Sequence, residues 1–152
     1  MEIRFNRQHG EFSLIMSEEL VLVNAEGPWN KECIEHFGLV YAKTVYSSGH
    51  HRWADIVYLR GESLLVPDAE SDLKIRIERA ISAGLAKVFI ITEKSTVVTA
   101  AKMQLQRIYT GFDVELVFVD SVEAAISAAR NAGFQVDEQS ASTFLNQQPG
   151  KP

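Results

Sequence analysis

Three short, unbroken apolar runs constrain this chain more than any other feature: Ile56-Val57-Tyr58-Leu59, Val88-Phe89-Ile90-Ile91 and Leu116-Val117-Phe118-Val119. A strand with one wet face alternates apolar and polar residues. A continuous run rich in β-branched residues suits a strand buried on both faces, as in a parallel sheet between helix layers. Helical stripes follow each run: Leu73, Ile77, Ala80 and Ile81, then Val98, Ala101, Leu105 and Ile108, then Val122, Ala125, Ile126 and Ala129. Spacings of three and four residues put each set on one helix face. The alternation predicts a parallel sheet with right-handed crossovers.

Upstream, the pattern is different. Phe12, Leu14 and Met16 alternate with polar residues, Ser17-Glu18 offers a turn, and Leu20-Val21-Leu22-Val23 runs back, which predicts an antiparallel hairpin. Residues 2–5 are expected to add an edge strand. Pro28 and Asn30 favour a helix start, and Ile34, Phe37, Tyr41 and Val45 mark one face of a helix ended by Gly49. Asp120-Ser121-Val122-Glu123 reads as a capping box. The expected fold is α/β: a mixed sheet of four to five strands, an N-terminal hairpin, three strand–helix units and four helices. It occupies residues 1–133, with 134–152 a polar C-terminal tail on which Phe144-Leu145 could dock.

A chain of 152 residues is one domain of ordinary size and needs no metal or disulfide to fold. Its 20 acidic against 15 basic side chains, a formal charge of −5, and the absence of a Lys/Arg run argue against nucleic-acid binding. One cysteine, Cys33, fits a reducing compartment. Residues 1–7 do not look like a signal peptide, and no run reaches the roughly 20 apolar residues of a membrane span. A cytoplasmic location is the expectation.

Recognisable chemistry is sparse. The glycine spacing matches neither dinucleotide nor P-loop cradles, and G-x-S-x-G and H-E-x-x-H do not occur. No cofactor and no metal are therefore expected. Cys33 and His36 sit near the start of a helix whose far end precedes His50 and His51, a separation of over roughly 20 Å, so they cannot share an ion. Trp29 and Trp53 read as packing residues. The candidate contact segment is 60–72, taken as the long loop between the first buried strand and its helix, because sites in open α/β sheets tend to lie beyond strand carboxyl ends. Its candidate partner-binding residues are Arg60, Glu62, Ser63, Asp68, Ser71 and Asp72. The plain alternative is that Asp68 caps the helix while Glu70 and Asp72 complement its dipole.

The order hairpin, helix and three strand–helix units resembles the STAS domain, the fold of bacterial anti-sigma-factor antagonists. The segment Leu20-Val21-Leu22-Val23-Asn24-Ala25-Glu26-Gly27-Pro28-Trp29-Asn30 looks like that family's second strand entering its first helix. Val57-Tyr58-Leu59 followed by Pro67-Asp68-Ala69 looks like its central strand and second-helix loop. The likeness spans about residues 11–133. It implies a regulatory domain that binds a protein partner, in which an Asp-Ser pair at the second helix is phosphorylated. Here Asp68-Ala69 stands at that place, so the serine is missing, and an aspartate there resembles a permanently charged state.

Three functions follow as expectations. The first is a non-enzymatic, STAS-like domain that binds a protein partner through 60–72 and the next helix, with an edge free for a homodimer. The second is a carrier of a small molecule or lipid, with a pocket lined by residues such as Phe37, Tyr41 and Tyr58. The third is an enzyme with a carboxylate site near Glu26, Glu62 and Asp68.

Overall fold

A computed structural model describes residues 8–149. The edge strand expected over residues 2–5 lies outside the described residues. The chain runs β1 (Glu11–Ser17), β2 (Leu20–Trp29), α1 (Lys31–Ser48), β3 (Trp53–Leu65), α2 (Pro67–Ala83), β4 (Leu85–Ser95), α3 (Val98–Tyr109), β5 (Glu115–Val119), α4 (Val122–Asn131) and α5 (Glu138–Leu145). The strands form one mixed sheet in sequence order. β1 pairs antiparallel to β2, and all later pairs are parallel.

The α/β class and the mixed sheet agree with the sequence reading, with five strands and with five helices rather than four. Period-two alternation divides each strand between two cores. Val21, Val23 and Ala25 of β2, Leu59 of β3, and Val88 and Ile90 of β4 face α1, α2 and α3. Leu20, Leu22, Ala54, Ile56, Tyr58, Phe89 and Ile91 face α4 and α5. The apolar runs of β3 and β4 are continuous because helices cover both of their faces.

Local signals are met with small displacements. The hairpin turn is Glu18-Glu19 rather than Ser17-Glu18, since Ser17 pairs with Leu20, and Glu18 takes a positive φ of 51°. Asn30 caps α1 by accepting from the Cys33 N–H at 3.0 Å, but Pro28 lies within β2, behind a cis Gly27–Pro28 bond. Ser121, not Asp120, caps α4, so Glu123 falls one position short of closing a capping box.

The segment 60–72 is not a loop. β3 continues to Leu65 and α2 starts at Pro67, leaving Val66 as the only linker. Gly61, at φ +66°, lets the strand bend and continue, and Trp29 pairs with Leu65 beyond the bend. Gln104 of α3 completes Leu65 as a neighbouring strand would, accepting from its N–H and donating to its carbonyl, both at 2.8 Å. The polar residues of this stretch disguise a strand extension.

The C-terminal segment is likewise part of the fold. Asp137 caps α5, and Ala141 and Leu145 are fully buried in the second core. Arg60 holds the helix in place: its Nη2 donates to the Leu145 and Gln147 carbonyls at 3.0 Å, and its guanidinium lies 4.2 Å from the centre of the Tyr58 ring. Asn24 adds a bond to the Phe144 carbonyl at 2.8 Å. Replacing Arg60 with Ala should cost about 1–3 kcal/mol, the range for bonds made by a charged donor. Amide hydrogen exchange should then accelerate across 138–145 while α4 stays protected. Equal protection of α5 in both proteins would show that Leu145 burial alone holds it.

Candidate functional site

The largest feature of the first core is what it leaves empty. A cavity of about 690 Å³ lies over the central strands, beneath α1 and α2. Small residues line it between those helices: Ala42 of α1, with Ala80 and Ala83 of α2. Gly38 admits the Arg76 side chain against α1, since a Cβ there would fall 2.3 Å from that chain. Val23, Ala25 and Val57 form part of the floor. Val57 stays partly accessible although it sits on the central strand of a sheet covered by helices. Such a position is normally sealed by close packing.

The walls are mostly apolar, with Phe12, Trp29, Ile34, Phe37 and Leu73 among them, and one polar group of three interrupts them. Asp55 lies on β3, in register with Val21 of β2 and Val88 of β4, so its neighbours across the sheet are aliphatic. The Tyr41 hydroxyl donates to Asp55 Oδ1 at 2.6 Å, and the Trp53 indole N–H donates to the Tyr41 oxygen at 2.8 Å. Burial pushes the Asp55 carboxyl up to about 7, against the pull of its hydrogen bonds with Tyr41 and Trp53. Burial, with the nearby Asp55 charge, also drives the Tyr41 and Tyr109 phenols well above their usual range. Cys33, in the same wall, is pushed up to about 11 by burial alone.

The exposed lining residues are Ala42, Tyr46, Gly49, His51, Arg79 and Ala83. All belong to the C-terminal halves of α1 and α2 or to the turn after α1. The cavity therefore opens near the amino ends of β3 and β4, opposite to the carboxyl edge that the sheet type suggested.

The residues singled out from sequence are placed as follows. Arg60 is engaged with α5 on the far face of the sheet, and Ser63 is buried with its hydroxyl 2.5 Å from that of Ser95. Glu62, Asp68 and Ser71 are exposed. The Ser71 hydroxyl donates to the Pro67 carbonyl, and Asp72 accepts from Arg76 at 2.9 Å. Val66, not Asp68, is the N-cap of α2, and Glu70 joins α2 to α3 through Arg107 and Gln104. Those bonds, led by that from Arg107, hold the Glu70 carboxyl below its usual value. Glu26, Glu62 and Asp68 are all exposed, and no hydrogen bond links them among the described residues.

Of the pocket residues expected for a carrier, Phe37 and Tyr41 line the cavity. Tyr58 points to the opposite core, where its hydroxyl donates to Glu93 at 2.5 Å. Trp29 and Trp53 are buried and contribute to the walls. Asp55 was missed, though its signal was present: a carboxylate directly before the doubly buried run Ile56-Val57-Tyr58-Leu59. Among the described residues no three His, Cys, Asp or Glu gather as metal ligands, and no helix is long and apolar enough to cross a membrane. No family model and no curated protein matches this sequence.

Asp55 makes stability depend on pH. Its folded value of about 7 exceeds its ordinary 3.8, so the folded state holds the proton more tightly. Stability must then fall as pH rises from about 4 to about 7, and its contribution flattens above and below that window. Asp55→Asn, whose amide oxygen can still accept from Tyr41, should remove this slope. It should leave the variant more stable than the parent at pH 8 by on the order of 4 kcal/mol, the cost of ionising a carboxyl raised from 3.8 to about 7. Urea denaturation across pH 4–8 measures the difference, and parallel profiles would show that Asp55 is ionised in the folded protein throughout.

Proposed function

We propose that this chain is a non-enzymatic binding domain of STAS-like architecture, and that its ligand is a small, largely apolar molecule held beneath α1 and α2. The cavity carries this reading. At about 690 Å³ it falls within the span of small-molecule sites, roughly 300–1,000 Å³. Apolar walls with a few convergent polar groups are the usual makeup of such sites. The element order matches the order that suggested the STAS likeness, with β1–β2 as the hairpin and three strand–helix units after α1.

Two features support binding over catalysis. Cys33, the one thiol in the wall, is held protonated by burial, and a thiol is a far weaker nucleophile than a thiolate. The Asp55 carboxyl is joined to a phenol whose own proton is held more tightly than usual. The pair holds its protons and ties α1 to the floor of the cavity.

Val57→Phe tests the reading by filling the floor. An added ring that enters free space should change stability by less than about 1.5 kcal/mol. Binding of the neutral apolar dye Nile red, followed by its fluorescence, should weaken by at least tenfold, roughly 1.4 kcal/mol. Unchanged dye binding by a folded variant would remove the cavity as the site.

A second reading, contact with a protein partner through α2, draws on one observation. Val66, the N-cap of α2, and Ile75, midway along it, are apolar yet 39% and 51% exposed, and the helix also displays Asp68 and Ser71. If that surface is the contact, Ile75→Asp should abolish co-purification of a stoichiometric protein that Val57→Phe retains. A protein retained by both variants binds elsewhere.

A further inference from the structure

We propose that the cavity receives a single-chain amphiphile with an acidic head, its apolar chain lying over Val57 and its head at the mouth beside Arg79, His50 and His51. This rests on the proposed ligand-binding role and names the class of ligand.

Position and charge single out this class of ligand. The interior is apolar, so the part of a ligand that penetrates must be apolar, while a charged head loses least by remaining in water at the opening. The opening holds one guanidinium and two imidazoles of the lining. Arg79 is exposed and His51 is exposed, with His50 half-buried beside it. Arg79 forms no ion pair or hydrogen bond among the described residues. Arg76, the other cation in the lining, is already paired with Asp72 at 2.9 Å. Asp55 is the only carboxylate in the lining, and it is buried on β3 rather than placed at the mouth. This local excess of cationic and imidazole groups occurs on a chain whose formal charge is −5. Tyr46, also at the mouth, is 89% exposed and offers an aromatic ring with a polar tip, a side chain suited to a boundary between apolar and wet surroundings.

One opposing field is present. The carboxyl ends of α1 and α2 approach the same opening, and helix ends of that sense favour cations by up to half a charge each, an effect confined to the last turn. At both ends part of it is answered within the chain. The Gly49 N–H donates to the Tyr46 carbonyl, the Ser48 hydroxyl to the Val45 carbonyl, and the Gly84 N–H to the Ala80 and Ile81 carbonyls.

A chain-matched series decides the matter: decanoate and decylammonium, each titrated calorimetrically below its micelle concentration, and decanol, titrated below its solubility limit, all at low ionic strength. Decanoate should bind about fivefold more tightly than decylammonium, the gain that one partly exposed ion pair provides. Arg79→Gln combined with His51→Gln should remove that preference and leave decanol affinity unchanged. These substitutions lie on the surface, and retained decanol binding shows that the variant is folded. Decanol and decanoate bound equally by the parent would overturn head recognition while leaving the cavity as an apolar site. A preference for decylammonium would overturn it in favour of Asp55 and the helix ends. Failure of all three to bind would remove the ligand-binding reading together with this proposal.

Discussion

Everything in this fold is arranged around a strand that must be dry on both sides. β3 pairs with β2 and β4, and α1, α2 and α3 cover one of its faces while α4 and α5 cover the other. Burial of this kind is the dominant favourable contribution to folding, and it tolerates a polar group only where that group finds partners. Asp55 and Arg60 are the charged residues of β3 that the two layers must accommodate. Asp55 is answered on one face by Tyr41. Arg60 is answered on the other face by the carbonyls at the end of α5 and by the ring of Tyr58. One bond ties α1 to the sheet, and the other ties the C-terminal helix to it.

The two faces differ in how completely they are filled. On the side of α4 and α5, alanines allow close approach: Ala125, Ala129 and Ala141 are fully buried against Ile56, Tyr58 and Phe89. On the side of α1 and α2, small residues at the helix seam have the opposite result and leave an open volume. The distinction lies in what faces the small residue. Large sheet side chains pack with Ala125 and Ala129, whereas Val23, Ala25 and Val57 are among the residues that floor the cavity. A close-packed interior carries few voids larger than a water molecule. A domain that keeps one of this size gives up packing contacts on its inner wall, which is the physical argument for a role in holding a ligand.

Packing also decides where the site opens. In parallel α/β sheets the carboxyl edge is the usual place for a ligand, because loops diverge there. Here the carboxyl end of β3 is occupied differently: the strand continues to Leu65 and hands over to α2 through Val66 alone, with Gln104 bonded to both backbone groups of Leu65. No loop is left there to form a cleft. The free space appears at the other end, where α1 and α2 finish and the chain turns back into β3 and β4.

The residue pattern by itself determined the kind of fold and most of its elements. Continuous apolar runs demand two covering layers, and the helical stripes supply them, so the parallel sheet and the helices α1 to α4 were legible from period alone. Legibility failed where a residue's role is set by a distant partner. Polar residues between Arg60 and Asp72 read as a loop because Ser63 is answered by Ser95 and Leu65 by Gln104, more than 30 positions away. The segment after residue 133 read as a tail because its few apolar residues, Phe134, Val136, Ala141, Phe144 and Leu145, are scattered among polar ones, and the carbonyls that Arg60 and Asn24 bind at the end of α5 carry no sequence signal. The cavity is the extreme case. A stripe of helical residues looks the same in sequence whether it meets its neighbours or stands away from them, so only tertiary packing decided that Ala42, Ala80 and Val57 line open space while Arg76 fills the place beside Gly38.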